Sequence, residues 1–377
     1  MRVFVQAVFG QIFCNAYIFW RGYQALPPKR TVRVPFMLFF VFELLLYFFG
    51  YFFHRDLPDS ILYPIMRICN TWYIASMYLI MGLIVLDLIR LSNRIRPWYP
   101  EAIKKNWNTV KLSLFFVCVF SVTGLMIKAY HNAMYPVVRH VHIHIPKVVD
   151  GKDSLIIAMM SDVHIDESIG KKQVQRFVGL CNAAHPDLVL IGGDMMDYEL
   201  CRAEKEHIEE DLQQLNAPLG VYMILGNHEY RANRDAKIRW FDKTGGILLI
   251  DSVAMPDSTF YLIGRDDILN GNRASLETLM QEVDLTKPVI VLEHRPTFAR
   301  DVIDNQCDLG LYGHTHNCQY WPFSFFLKYI FEFPYGYFSE GNAHINVTSG
   351  IGFTGPPFRI GTRSELVVLH ITFEKRP

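Results

Sequence analysis

The sequence predicts a layered α/β domain over residues 136–377, preceded by an N-terminal helical transmembrane region over residues 1–135. Long apolar stretches are confined to the first part, which carries a net charge of +9, whereas the second part carries −9. Such a division indicates different surroundings for the two parts. In the second part, short apolar runs alternate with helix-compatible segments and end in polar, glycine-containing turns, which is typical of buried strands in a layered α/β domain.

Apolar segments in the first part predict about four membrane-spanning helices. The candidates are residues 3–20, 34–53, 72–89 and 110–128. A helix needs roughly 20 apolar residues to cross a bilayer, and the last three candidates meet this requirement. The first is weaker because Gln6, Gln11 and Asn15 interrupt it. Since it lacks the small-residue cleavage site of a signal peptide, we interpret it as an uncleaved anchor.

The loop charges predict an orientation. Four Lys or Arg residues follow the first candidate and six follow the third, whereas the loop between the second and third has Arg55 and Arg67 offset by Asp56 and Asp59. Basic loops stay on the cytoplasmic side of a membrane. The sequence therefore predicts an integral protein of the cell membrane with its C-terminal domain on the extracytoplasmic side, whether or not the first candidate crosses.

Glu43 is the single charge within segment 34–53. A carboxylate facing lipid at mid-span costs about 2.5 kcal/mol or more. Two interpretations remain: the side chain faces the other helices, or it contacts a substrate or partner. No chain of polar residues continues through several spans, which argues against a transport path.

Polar side chains follow the strand-like runs of the second part. They are Asp162 and His164 in SDVHI, Asp194 in GGDMMD, Asn227 and His228 in GNHE, His294 in LEHRP, and His314 and His316 in GHTH. Function in such sheets gathers in the loops past strand ends. Carboxylate and imidazole groups ligate Zn, Mn and Fe. Seven ligands exceed one tetrahedral ion and suit two ions that share a bridging carboxylate, an arrangement used in phosphoryl chemistry.

The ordered set DVH, GD, GNHE, H and GHTH resembles the calcineurin-like metallophosphoesterase superfamily, and specifically its membrane-associated bacterial branch. The resemblance covers about residues 137–377. It implies a two-sheet α/β/β/α sandwich and a metal-dependent phosphoric ester hydrolase. One departure is that Asn317 and Cys318 stand where this branch often has glycines. Cys318 is then either an adventitious metal ligand or simply a small residue.

The resemblance also implies roles for individual residues and two divalent ions, which could be Mn, Zn or Fe. The implied ligand sets are Asp162, His164 and His316 for the first ion, Asn227, His294 and His314 for the second, and Asp194 as the bridge. His228 would be catalytic, contacting the substrate phosphate and stabilising or protonating the leaving oxygen. Asp197 would orient a metal-bound histidine.

An aromatic segment, residues 320–338, follows the GHTH motif and contains eleven aromatic residues. Prolines bound it and it contains Lys328 and Glu332, so it makes a poor transmembrane span. One interpretation is an interfacial hairpin or short helix that dips into the lipid boundary. The other is a loop packed on the protein's own core or on its transmembrane helices.

The segment RHVHIHIP places His140, His142 and His144 on one face of a predicted strand. Their period-2 spacing could hold a metal ion, but a solvent-facing strand edge is the default interpretation.

Three functions follow from these features. The first is a membrane-anchored, dinuclear metal-dependent phosphoesterase that hydrolyses a phosphoester or pyrophosphate bond in a lipid or envelope-related substrate, with membrane lipids as partners. The second is a phosphoesterase acting on soluble substrates. The third is a catalytically idle membrane receptor or scaffold. A nucleic-acid partner is not expected, because the second part is acidic and lacks a basic stripe.

Overall fold

Helices fill the first part of the chain. The computed structural model describes residues 2–53, 57–166 and 168–376, so Arg55 and Asp56 of the predicted loop lie outside the described residues. The chain divides into two compact units after Ala129, a little before the predicted domain boundary. The helices of the first part are α1 (Arg2–Ala25), α2 (Arg30–Phe53), α3 (Asp59–Ile95), α4 (Glu101–Lys105) and α5 (Trp107–Met134).

Three of these helices, α2, α3 and α5, are long and apolar enough to cross a membrane. They contain the predicted segments 34–53, 72–89 and 110–128. Over its described residues, α1 is not apolar enough to be counted with these three helices. The crossing of the membrane by residues 3–20 therefore stays a prediction.

Two of the polar residues that weaken α1, Gln11 and Asn15, are buried against α2 and α3. Asn15 donates a hydrogen bond to Glu43 and accepts one at 2.8 Å from the indole nitrogen of Trp72. Gln11 contacts Asn15 at 3.3 Å, and Glu43 is only 3% exposed. Of the two interpretations of Glu43, the structure favours the one in which its side chain faces the other helices.

Two six-stranded sheets form the second unit. The first has the spatial order β1 (Val137–Val148), β12 (Glu365–Glu374), β2 (Ser154–Met160), β3 (Leu188–Ile191), β4 (Val221–Met223) and β5 (Ile247–Leu248). The second has the order β10 (Gly336–Glu340), β11 (Ala343–Val347), β9 (Leu309–Tyr312), β8 (Val289–Leu292), β7 (Tyr261–Gly264) and β6 (Ser252–Ala254).

The sheets stack face to face and carry helices on their outer faces. Strand β3 shows why: Leu188 and Leu190 enter the core between the sheets, while Val189 and Ile191 enter the core beneath the helices. Alternate residues of a strand point to opposite faces, so a strand covered on both sides is apolar throughout. The helices are α6 (Lys171–Ala183), α7 (Cys201–Lys205), α8 (Ile208–Leu212), α9 (Arg234–Phe241), α10 (Leu276–Leu279), α11 (Arg300–Asp304) and α12 (Ser324–Leu327). The predicted α/β/β/α architecture is confirmed.

Parallel pairing places the functional loops at common edges. Strands β2, β3 and β4 are parallel neighbours in the first sheet, as are β8 and β9 in the second. The carboxyl ends of parallel neighbours lie at the same edge, so the loops that follow them lie side by side. Each of the seven candidate ligands, and the candidate catalytic residue His228, follows one of these five strands.

Glu229 ties the loop after β3 to the loop after β4. Its side chain is fully buried, and each carboxylate oxygen accepts two backbone N–H groups. One oxygen accepts from Asp194 at 2.8 Å and Gly226 at 2.7 Å. The other accepts from Met195 at 2.9 Å and Met196 at 3.1 Å. An ionised carboxylate thus satisfies four donors that cannot reach water.

We expect Glu229→Gln to destabilise the domain. A glutamine presents one acceptor oxygen and one NH2 group, so two of the four buried N–H groups lose their acceptor. The free energy of unfolding should fall by about 3 kcal/mol. That loss lowers Tm by roughly 6–12 °C for a domain of this size. Thermal unfolding of the detergent-purified chain measures it, with the exposed Glu210→Gln as control. Equal Tm values for the two variants would contradict this role of Glu229.

Candidate metal centre

The first group of candidate ligands comprises Asp162, His164 and His316, all buried, with ligand atoms within 4.8 Å of one another. The Nε2 atoms of His164 and His316 lie 3.0 Å apart. His316 Nε2 lies 3.3 Å from Asp162 Oδ1. Ring nitrogens and a carboxylate oxygen therefore face a common point, as the ligands of one ion do. The structure brings this predicted set together.

The second group comprises Asp194, His294 and His314. His294 Nε2 lies 3.0 Å from Asp194 Oδ2. The Nδ1 atom of His294 donates to the carbonyl oxygen of Gly192 at 2.8 Å, which leaves Nε2 as the atom facing the site. Asp194 Oδ2 is also 3.8 Å from His164 Nε2 in the first group. Asp194 therefore lies between the two groups, where a bridging carboxylate has to lie.

Asn227 is 5% exposed, and among the described residues its Oδ1 atom has no hydrogen-bond partner. The residues on either side of Asn227 touch Asp194. The backbone N–H of His228 donates to Asp194 Oδ1 at 2.7 Å, and a Cβ atom on Gly226 would overlap the Asp194 side chain. A buried amide oxygen without a donor costs stability unless a cation satisfies it. The donor set thus fits a second ion.

The electrostatics of the second group centre on the Asp194–His294 pair. Burial alone would lower the pKa of His294, but Asp194 outweighs it and raises that pKa to about 10. Burial would raise the pKa of Asp194, and the charge of His294 instead holds it well below its usual range. A proton thus occupies this pair in the absence of metal, and a divalent ion takes its place on binding.

The imidazoles of the GHTH motif are kept neutral. Burial, followed by the charge of His294, lowers the pKa of His314 to about 3. Burial, followed by the charges of His164 and Arg359, holds the pKa of His316 well below its usual value. A neutral imidazole has the lone pair that a metal requires, so both rings are ready to bind an ion at neutral pH.

His228 lies beside the ligands. Its Nδ1 atom is 2.7 Å from Asp197 Oδ1, and its Nε2 atom is 3.9 Å from Asp194 Oδ2. Asp197 Oδ1 is also 3.3 Å from His164 Nδ1. Burial would raise the pKa of Asp197, but His164 and His228 lower it, so Asp197 is a carboxylate that orients two imidazoles. The structure thus places Asp197 next to the candidate ligand His164, and its orienting role stays a prediction.

Two features of the centre cannot be recognised in the sequence. First, five of the candidate ligands have left-handed backbone, with φ between 49° and 70°: Asp162, His164, Asp194, His314 and His316. Such φ values are strained for non-glycine residues, at about 1–3 kcal/mol each, and surrounding contacts must hold them. Second, the fully buried Arg359 donates hydrogen bonds to the carbonyl oxygens of His316, at 3.2 Å, and Gly352, at 2.7 Å. Arg359 belongs to none of the sequence motifs. Glu229, which also supports the loops of the centre, is the last residue of the GNHE motif.

Cys318 and the aromatic segment lie next to the centre without joining it. Cys318 is half-buried, and among the described residues it belongs to no group of potential metal ligands. The ring of Phe331 contacts that of His314 edge to face, with centroids 6.1 Å apart. One aromatic side chain of residues 320–338 thus reaches a candidate ligand of the second group.

Comparison with known proteins gives a family. Residues 155–318 match the family model described as calcineurin-like phosphoesterase, a range that contains every ligand named above. The chain is 28% identical over 293 residues to a transmembrane protein with metallophosphoesterase domain of Danio rerio, which covers 74% of this chain and 66% of that protein. It is also 28% identical over 271 residues to an uncharacterised metallophosphoesterase of Campylobacter jejuni, covering 70% of each.

Among solved structures, a dimetal phosphatase from Danio rerio aligns with 59% of this chain and 100% of its own length, at 13% identity and a TM-score of 0.34. The chain spans about two thirds of the length of the first zebrafish relative. The relatives include both bacterial and animal proteins. Residues 155–318 of the chain therefore form a calcineurin-like phosphoesterase domain, and its curated relatives are metallophosphoesterases.

Proposed function

We propose that the chain is a membrane-anchored, dinuclear metal-dependent phosphoesterase that hydrolyses a phosphoester or pyrophosphate bond in a lipid or envelope-related substrate. One observation carries the dinuclear part: Asp194 Oδ2 lies 3.0 Å from His294 Nε2 and 3.8 Å from His164 Nε2. A single carboxylate between two ligand groups is the arrangement that two-metal phosphoryl chemistry needs.

The residues would divide the work as follows. Two divalent ions, Mn, Zn or Fe, would supply Lewis acidity toward the phosphoryl oxygens and an activated water. The set Asp162, His164 and His316 would hold one ion and the set Asn227, His294 and His314 the other, with Asp194 shared. His228 would present Nε2 to the leaving oxygen while Asp197 holds Nδ1 and stabilises the charged imidazole.

The function is tested by phosphate-ester hydrolysis with the detergent-purified chain. The protein is stripped with chelator and reloaded with Mn, Zn or Fe, and aryl monoester and diester probes are assayed in parallel. Asp194→Asn should lose turnover below detection and lose at least one bound ion per chain, because the shared ligand becomes neutral. Absence of both turnover and metal binding in the wild type would instead favour the receptor hypothesis.

His228→Gln is the variant matched to Asp194→Asn, because it should distinguish a loss of bound metal from a loss of the chemical step. The variant should retain both ions, but kcat should fall roughly 10²–10⁴-fold with a poor leaving group, because the proton donor is missing. The loss should be smaller for 4-nitrophenyl esters, whose leaving group needs no proton. An equal loss for good and poor leaving groups would place His228 outside leaving-group protonation.

The exposed aromatic segment supports a lipid partner. Seven large apolar or aromatic side chains of residues 320–338 are exposed by 39–77%: Trp321, Phe323, Phe325, Phe326, Tyr329, Ile330 and Tyr337. Leu327 and Phe333 are buried, so the segment is fixed to the domain while its other side faces outward. Helix α5 is followed in the chain by β1, so the domain is tethered to any membrane that α5 crosses. We infer that this surface contacts a bilayer beside the site and takes a lipid-linked substrate from it.

Photo-crosslinking tests this contact without knowledge of the substrate. A p-benzoylphenylalanine placed at Phe326 in the membrane-embedded chain should crosslink to lipid acyl chains on illumination. The same residue placed at Leu285, which is 41% exposed outside the segment, should give no lipid adduct. Lipid adducts at neither position would contradict the membrane contact and leave hydrolysis of soluble substrates as the better proposal.

The loop charges support an extracytoplasmic domain, as deduced from the basic segments after the first and third candidate helices. An epitope tag after the last residue should be cleaved by protease added to intact spheroplasts. A cytoplasmic reporter protein in the same cells serves as control. Cleavage of the tag only after permeabilisation would reverse the proposed orientation.

A further inference from the structure

Three histidines lie together on the outer face of the first sheet, away from the metal centre. His140 and His142 point outward from edge strand β1, and His370 points outward from its neighbour β12. His140 and His142 are exposed and His370 is partly exposed. The core beneath the helices includes Val368, the residue of β12 that precedes His370 on the same face. It does not include His370. This face is therefore open to solvent at the three rings.

The pairing of the two strands brings the rings together. His142 and His370 are partners in the parallel register between β1 and β12. The ring of His370 lies between the other two, with centroids 4.8 Å from His142 and 5.1 Å from His140. His140 Nδ1 is 2.8 Å from His370 Nε2. With metal–nitrogen bonds of about 2.0–2.1 Å, imidazoles arranged around one ion also have centroids roughly 5 Å apart.

We propose that His140, His142 and His370 form a further metal site for one divalent transition ion, such as Zn²⁺, Ni²⁺ or Cu²⁺. Imidazole is the ligand these ions share. The ring pairs are stacked at 16° and 28°, so rotation about χ2 is needed to aim three nitrogens at one point. Exposed side chains can make such a rotation readily.

The charge state of His370 suits a cation. Burial, followed by the neighbouring His142 and His140, lowers the pKa of His370. The ring is thus neutral at physiological pH and offers a lone pair. The solvent-facing side of the site leaves further coordination positions to water, which distinguishes it from the buried dinuclear centre.

His144 lies on the same face but its ring nitrogens have other partners. Its Nε2 atom is 3.3 Å from Glu374 Oε2, and its Nδ1 atom is 3.3 Å from the hydroxyl of Thr372. The site therefore consists of three histidines and not of the whole β1 row. His144 supplies a matched control, because it is an exposed histidine of the same strand.

The ion would link the two ends of the domain's sequence. His140 and His370 are separated by 230 residues, so only the folded domain brings them together. A ligand that binds the folded state alone raises stability as its concentration rises. The ion would hold edge strand β1, which follows α5 directly, to β12. Added metal should accordingly raise Tm without changing catalysis.

The experiment uses the full chain in detergent, loaded with Mn²⁺ at the dinuclear centre and then dialysed against Ni²⁺. Wild type should bind one more Ni²⁺ per chain than His370→Gln or His142→Gln, with bound Mn²⁺ measured in each sample. Ni²⁺ should raise Tm in wild type and in His144→Gln, but not in the other two variants. Phosphoester turnover should be equal in all four proteins.

Two results would overturn the proposal. Equal Ni²⁺ content and an equal Tm shift in wild type and His370→Gln would show that the three histidines form hydrogen bonds at the surface and do not bind metal. A loss in His144→Gln as large as that in His370→Gln would show unspecific binding along β1. Because the readouts are ion content and Tm, the result is independent of whether the dinuclear centre is catalytic.

Discussion

Asp194 is the group on which the centre depends, because it contacts the loops of both sheets. Its backbone N–H is held by Glu229 and its Oδ1 accepts the backbone N–H of His228. Its Oδ2 faces His294, which comes from the second sheet. One buried carboxylate thus fixes the distance between the two layers at the site. It also explains why Glu229 is needed: the loop that carries Asp194 has left-handed backbone and would relax without four bonded N–H groups.

The sequence predicted the layers and the ligands for different physical reasons. Buried parallel strands are apolar on both faces, so β3 and β8 are recognised as continuous apolar runs. A charged or imidazole residue directly after such a run has no structural reason to be there, and it therefore indicates a functional site at the strand end. What the sequence could not show is the support. Arg359 is an ordinary arginine in a Pro- and Gly-containing loop, and its role depends on tertiary contacts to the carbonyl oxygens of His316 and Gly352. No local pattern predicts a left-handed Asp162 either.

The first helix shows a related limit of sequence patterns. Hydropathy averages all faces of a helix, so Gln11 and Asn15 lower the score of α1 wherever they point. In the structure they lie inside the helical unit, where Asn15 bonds Glu43 and Trp72. Polar side chains that satisfy one another inside a bundle do not expose charge to lipid. The interrupted hydropathy of α1 is therefore consistent with a helix that belongs to the bundle. The hydrogen bond between Asn15 and Glu43 accounts both for the polar residue in α1 and for the charged residue in α2.

The two histidine sites of the domain differ in how their rings are fixed. In the candidate metal centre, His294 donates Nδ1–H to Gly192 and His164 places Nδ1 against Asp197, so each presents Nε2 in a set direction. Such outer contacts fix the tautomer and raise affinity for metal. On the outer face of β1, the ring nitrogens of His140 and His370 contact each other at 2.8 Å. An ion there has to orient its own ligands, which costs side-chain entropy. We therefore expect an ion to be held tightly in the buried centre and to exchange readily at the surface site.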